Sequence, residues 1–166
     1  MSLKDLPFGE PEAFNVVVEI PQGSQDKYEY DEEHDVIKLD RVLYGAQRYP
    51  TNYGFIPETR AEDGDHADAL LFTTNPIIVG TVVVSRPIGL MRMVDSGEID
   101  NKILAVPVKD PRFSHVKDIA DISEHQKAEI KNFFETYKAL QGKSCEVSGF
   151  EDKASAIAEL GKTRNK

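Results

Sequence analysis

The densest group of chemically capable side chains is Glu62-Asp63-Gly64-Asp65-His66-Ala67-Asp68, whose three aspartates are spaced i, i+2, i+5. Carboxylates this close repel one another unless cations lie between them. Gly64 lets the backbone bend so that neighbouring carboxylates converge. Hard oxygen donors that keep several waters suit Mg²⁺ or Mn²⁺. The same residues also make an ordinary solvated turn, and Asp-Gly-Asp taken alone fits that description better. An EF-hand calcium loop does not fit. Counted from Asp63, its fifth, sixth and twelfth positions hold Ala67, Asp68 and Thr74 instead of an oxygen ligand, Gly and Glu.

Other fragments carry the same ambiguity singly. Met91 to Lys102 contains Asp95 and Asp100 and reads as a polar hairpin loop between two β-like runs. Asp100 and Lys102 would share one face of a strand, as an ion pair or as a metal ligand beside a phosphate-binding cation. Glu19, Lys27-Tyr28-Glu29 and Asp40-Arg41 read as a surface ion-pair ladder. Tyr49-Pro50-Thr51-Asn52-Tyr53-Gly54 reads as a packed turn with two tyrosines. Tyr137 falls on a helical apolar stripe, beside Lys138.

The elements that must position these residues follow from periodicity. Phe14–Ile20, Lys27–Asp31, Val36–Leu43, Ala69–Phe72, Val79–Ile88 and Ile103–Val108 read as short strands separated by turn residues. Ser123 and Gln126 resemble a capping box, after which Ile130, Phe133, Phe134, Tyr137 and Leu140 recur at helical spacing, with Gly142 as a stop. Cys145–Phe150 reads as a last strand, and Asp152 caps a short Ala-rich helix that fades by Gly161. The fold expected is α+β, mainly β: a small closed barrel with one long helix packed on it and a short C-terminal helix.

The 166 residues suit one domain, 1–166, with a full core. A formal charge of −9 opposes phosphate-neutralising contact with nucleic acid and docking on an anionic membrane. A barrel that stacks single-stranded nucleic acid would also want a basic, aromatic groove, and the chain has no tryptophan. Cys145 is the sole cysteine, and the start, Met1-Ser2-Leu3-Lys4-Asp5-Leu6-Pro7, has no apolar run like a signal peptide. These features predict a cytoplasmic protein.

Taken in order, the fragments resemble the family I soluble inorganic pyrophosphatases of the compact bacterial type. The likeness is collinear over nearly the whole chain. It runs through Val18-Glu19-Ile20-Pro21, Lys27-Tyr28-Glu29, Asp40-Arg41, Tyr49-Pro50-Thr51-Asn52-Tyr53-Gly54-Phe55-Ile56, Asp63-Gly64-Asp65, Asp68, Arg86-Pro87-Ile88-Gly89, Asp95, Asp100-Asn101-Lys102, His115-Val116-Lys117-Asp118 and Phe133-Phe134-Glu135-Thr136-Tyr137-Lys138. The resemblance implies a five-stranded, OB-like barrel and Mg²⁺-dependent hydrolysis of pyrophosphate, with several Mg²⁺ per site and Mn²⁺ as a substitute. It implies Asp63, Asp68 and Asp100 as ligands of the tightest metal, and Asp95, Asp100 and Glu19 as ligands of further ones. It implies Asp65 as general base for the attacking water, with in-line attack and no covalent intermediate. Lys27, Arg41, Lys102, Tyr137 and Lys138 would hold phosphate oxygens, Tyr53 would hydrogen-bond near the nucleophile, and Glu29 and Tyr49 would support them. A homo-oligomer, trimer or hexamer, is implied as well.

Charge balance agrees with the metal requirement: seven carboxylates against four cations leave this set at −3 before an anionic substrate arrives. Two departures stand out. The family usually has Pro and a larger aliphatic where this chain has His66 and Ala67. Without Pro the loop is expected to be looser, and His66 is an extra ligand, a pH-sensitive contact or a tolerated surface residue. Asn132 and Thr136 stand where many bacterial members carry hexamer-forming histidines on the long helix.

Overall fold

The computed structural model describes residues 2–164. The expected domain, 1–166, and the start read for a signal peptide extend over residues 1, 165 and 166, which lie outside the described residues. Among the described residues ten strands form: β1 (Gly9–Glu10), β2 (Ala13–Ile20), β3 (Asp26–Asp31), β4 (Val36–Val42), β5 (Asn52–Ile56), β6 (Ala67–Leu71), β7 (Val82–Asp95), β8 (Glu98–Ile99), β9 (Lys102–Pro107) and β10 (Cys145–Glu151). The two α-helices are α1 (Glu124–Thr136) and α2 (Lys153–Thr163).

Five strands close in the order β2-β5-β6-β9-β7, with β7 returning to β2, so the barrel is the expected five-stranded, OB-like one. All its pairs are antiparallel except β6 with β9. Closure hides every barrel edge. β10 extends the sheet from β7, and β3 with β4 forms a separate hairpin.

Alternation along the strands divides the core. Val16, Val18, Ala67, Ala69, Leu71, Ile103 and Ala105 pack with Ala156 and Leu160 of α2. Leu70, Leu104 and Val106 point the other way, into a cluster with Ile130, Phe133 and Phe134 of α1. Asp68 and Lys102 share the parity of that second face, and they are direct register partners across the parallel β6–β9 pair. The face that receives α1 therefore carries the chemistry at its end.

The structure revises several sequence expectations. Tyr49 to Gly54 is not a turn throughout, because Asn52–Ile56 is the barrel strand β5. The polar residues misled: Asn52 is fully buried, donating to the Leu71 carbonyl and Thr73 hydroxyl and accepting from the Gln22 and Ile77 amides. Met91–Asp95 is likewise not a loop but the end of the long strand β7, with Met91 and Met93 buried; only Ser96-Gly97 turns. α1 ends at Thr136, and a 3₁₀ turn follows at Ala139–Gln141, so Leu140 leaves the stripe and is 72% exposed. α2 runs past Gly161 to Thr163. Ser123 does cap α1, accepting from the Gln126 amide, as Asp152 caps α2.

Gly54 shows why the barrel needs that fragment. A Cβ there would lie 2.2 Å from the Val17 carbonyl oxygen on the neighbouring strand. Backbone cannot step aside as a side-chain tip can. Gly54→Ala is expected to lower unfolding stability by about 3 kcal/mol, at the upper end for overpacking. Denaturant unfolding measures it; a loss under about 1 kcal/mol would mean the strand pair relaxes freely.

Candidate active site

A cavity of about 560 Å³ opens where the β3–β4 hairpin, the loop before β6, the turn after β7 and the end of α1 meet. Ten carboxylates and four lysines line it. Glu19 enters from β2, Lys27 and Glu29 from β3, Asp63 and Asp65 from the loop, and Asp68 from β6. Asp95, Asp100, Lys102, Tyr53, Tyr137 and Lys138 complete the inner wall. A smaller cavity of about 300 Å³ shares Asp63, Asp95 and Asp100.

Lys102 is the inner pivot. It is 2% exposed, and its Nζ lies 2.6 Å from Asp68 Oδ2, 2.7 Å from Asp100 Oδ1 and 2.9 Å from the Tyr53 hydroxyl. Burial alone would depress the ammonium, but the Asp68 and Asp100 carboxylates outweigh it and raise its pKa. On the opposite side Lys138 Nζ lies 2.5 Å from Asp95 Oδ2. Burial pushes the Asp95 carboxyl up, while the bond from Lys138 draws it down further, for a net lowering.

Glu19 is 6% exposed and accepts a hydrogen bond from the Tyr30 amide at 2.8 Å. Burial first, and Asp68 second, raise its pKa from 4.5 to about 8. The folded chain therefore holds this proton between the two values while the unfolded chain releases it. Its contribution to stability is full below 4.5 and disappears as pH rises through about 8. The metal-free protein is expected to lose on the order of a few kcal/mol over that window. Glu19→Gln keeps the acceptor for Tyr30 and should flatten the loss in thermal unfolding. An unchanged slope would place its origin elsewhere.

Asp65 is exposed; partial desolvation, then Asp63 and Asp68, raise its pKa. Its amide donates to Asp63 Oδ1 at 3.0 Å, which fixes the bend at Gly64. Lys27 lies 3.2 Å from Asp40 Oδ2 and 3.8 Å from Glu29 Oε1. Arg41, register partner of Lys27, does not line the cavity; its Nη1 lies 2.6 Å from Asp40, and its Nε is buried with no acceptor. Tyr49 also stands behind the lining, its ring 5.8 Å from Tyr53 and 4.7 Å from Phe133. Phe133 and Phe134 face this core. Tyr137 is buried on the same aromatic stack, and burial pushes its phenol up.

Among the described residues no three Asp, Glu, His or Cys side chains converge tightly enough to hold an ion as placed. The reason is visible: the Lys102 ammonium bridges Asp68 and Asp100, and Lys138 covers Asp95. The donor set still fits a hard divalent cation. It is made of carboxylate oxygens, it is far from neutral, and buried Glu19 lacks a cationic hydrogen-bond partner.

The inorganic pyrophosphatase family model matches residues 16–166. The chain belongs to the inorganic pyrophosphatase family. It is 49% identical over 164 residues to the inorganic pyrophosphatase of Thermus thermophilus, covering 96% of this chain and 94% of that one. It is 48% identical to that of Halalkalibacterium halodurans, covering 91% and 92%. The Thermus thermophilus crystal structure superimposes with a TM-score of 0.93 at 48% identity, over 97% and 95% of the two chains. The Helicobacter pylori enzyme gives 0.92 at 46%, over 95% of each. Metal dependence comes with membership of this family.

Several lining residues escaped the sequence reading: Tyr28, Tyr30, Asp31, Glu32, Glu33 and Lys38 on the hairpin, with Phe55; His66, expected as a ligand, a pH-sensitive contact or a surface residue, lines the cavity too. Glu32-Glu33 looks like any solvated hairpin tip, so no local signal marked it. His66 is not a free surface residue either. Its side chain is 13% exposed and stacks on Phe55 at 4.9 Å. Burial, then Arg60, lowers its pKa, which favours the neutral ring. Thr136, at one of the departures on α1, accepts from Gln47 Nε2. Among the described residues no helix is long and apolar enough to cross a membrane.

Proposed function

We propose that this chain hydrolyses inorganic pyrophosphate to two phosphates by in-line attack of water, as a single domain spanning 1–166. The observation that carries the reading is the two-sided cavity, in which ten carboxylates face lysines set to meet phosphate oxygens. Asp63, Asp68, Asp95, Asp100 and Glu19 would hold the metals, Mg²⁺ in preference with Mn²⁺ as a substitute. When bound, these cations neutralise the substrate and lower the pKa of water.

Asp65 accepts the proton of the attacking water, from an exposed position on the loop beside Asp63 and Asp68. Lys27, Arg41, Lys138 and Tyr137 neutralise the equatorial and leaving oxygens. Lys102 holds Asp68 and Asp100 in place and donates to the Tyr53 hydroxyl, whose own proton is then free to meet an oxygen near the nucleophile. Glu29 steadies Lys27, and Tyr49 backs Tyr53. Cys145 is buried, with its pKa pushed up to about 11 by burial and Asp95, so it is a poor nucleophile, in keeping with a reaction that needs no covalent intermediate.

Phosphate release from pyrophosphate in Mg²⁺, with an organic phosphate ester as control, tests this. Release from pyrophosphate alone, lost on chelation, is expected. No release above background from pyrophosphate would overturn the reading. The buried free Cys145 agrees with a cytoplasmic enzyme. A trimer or hexamer is the assembly proposed, and sedimentation decides between them.

A further inference from the structure

The two walls of the cavity come from separate parts of the chain. The hairpin β3–β4 supplies Lys27 and Glu29, and the loop from Ala61 to His66 supplies Asp63 and Asp65 just ahead of Asp68. They pair with different strands and share no sheet ladder. A charged cluster joins them, beside the ring of Tyr30 from β3, whose centroid lies 6.4 Å from that of His66. Arg60 Nη2 donates to Glu32 Oε1 at 2.6 Å, and Glu32 sits at the tip of the hairpin. The other guanidinium nitrogen, Nη1, lies 2.9 and 3.1 Å from the two ring nitrogens of His66.

Nδ1 lies 3.1 Å from the Thr59 carbonyl, to which Arg60 Nη1 also donates at 3.3 Å; in the tautomer that donates from Nδ1 to this carbonyl, Nε2 is the acceptor for Arg60. The ring face rests on Phe55 of β5. The base of the loop is tied as well: the Ala67 amide donates to Thr59 Oγ1 at 2.9 Å, and the Arg60 amide donates to the Thr163 carbonyl at 2.6 Å. Within the loop, the Ala61 amide donates to the Asp65 carbonyl at 2.8 Å. The loop is thus a closed unit anchored on the barrel, and its one charged tie to the hairpin runs through Arg60.

We propose that Arg60 is a positioning residue: gripped between His66 and Glu32, it latches the carboxylate loop to the hairpin tip and sets the distance between the metal-facing and phosphate-facing walls. This rests on the functional reading above for its consequence in catalysis, but not for its effect on the loop. His66 then has a use at the position where Pro is usual. Pro stiffens a loop through its own φ angle, whereas His66 does so by stacking on Phe55 and offering Arg60 an acceptor.

The test compares Arg60→Ala, Arg60→Lys, Glu32→Ala and the double variant Arg60→Ala/Glu32→Ala with the unchanged chain. Three readouts are used: amide hydrogen exchange, calorimetric Mg²⁺ binding, and pyrophosphate hydrolysis. In Arg60→Ala the amides of residues 61–67 and 32–35 are expected to exchange about ten-fold faster, with the barrel strands unchanged. Mg²⁺ affinity should weaken about three- to ten-fold, and KM should rise by more than kcat falls. Arg60→Lys keeps the charge and should recover part of each effect. The double variant should be no worse than Arg60→Ala. Unchanged exchange and Mg²⁺ affinity overturn the proposal. So does a uniform loss of stability with Mg²⁺ affinity intact. An unchanged chain that releases no phosphate overturns the functional reading instead, because exchange and Mg²⁺ binding still decide the latch.

Discussion

Asp65→Asn is expected to lower kcat by about two to four orders of magnitude, the range for removing a positioned base. The substitution is nearly isosteric and keeps an acceptor oxygen, so it removes basicity and little else. Asp65 stands exposed on the loop and its amide, not its side chain, holds the bend to Asp63. Partial desolvation first, and then Asp63 and Asp68, make its charge unfavourable in the metal-free fold. The variant should therefore fold at least as stably as the unchanged chain and bind Mg²⁺ almost as well. The acid limb of the pH–rate profile should move or vanish with the base. Turnover close to that of the unchanged chain would remove Asp65 from the role.

Lys102→Met should destabilise the metal-free protein by about 4 kcal/mol, the cost of breaking a buried ion pair by removing one partner. Three interactions end at one buried Nζ, two of them with carboxylates. Met fills the volume of the side chain but leaves Asp68 and Asp100 facing each other without a cation. A divalent ion between those carboxylates replaces the lost charge. Saturating Mg²⁺ should therefore recover more stability in the variant than in the unchanged chain. Thermal unfolding with and without Mg²⁺ reads both effects, and a small loss unaffected by Mg²⁺ would show that Lys102 is not the charge that holds this pair together.

These two residues also show how legibility varied. Asp65 belongs to a local cluster, and its spacing alone drew attention to it. The Asp68–Lys102 contact joins residues 34 apart, through the only parallel pair in the barrel. No local period announces a parallel pairing. The same limit explains β5: Asn52 and Gly54 read as turn residues because their partners, Thr73 with the Leu71 carbonyl and the Val17 carbonyl, lie on other strands. Ser123, Asp152 and the apolar residues of α1 were legible because capping and helical spacing are interactions of near neighbours.

By itself the sequence determined the class of fold, the excess of carboxylates that calls for divalent cations, and, through collinear likeness, the family. Hydrophobic period, capping residues and net charge are properties of the chain in order, so they survive without coordinates. Only the tertiary structure decided which charges stand together. It placed Lys102 between Asp68 and Asp100, buried Glu19 until its carboxyl titrates near 8, kept Arg41 behind the cavity lining, and joined Arg60 to Glu32 and His66. Desolvation and pairing depend on what closes over a group from distant segments, which the order of residues along the chain does not display.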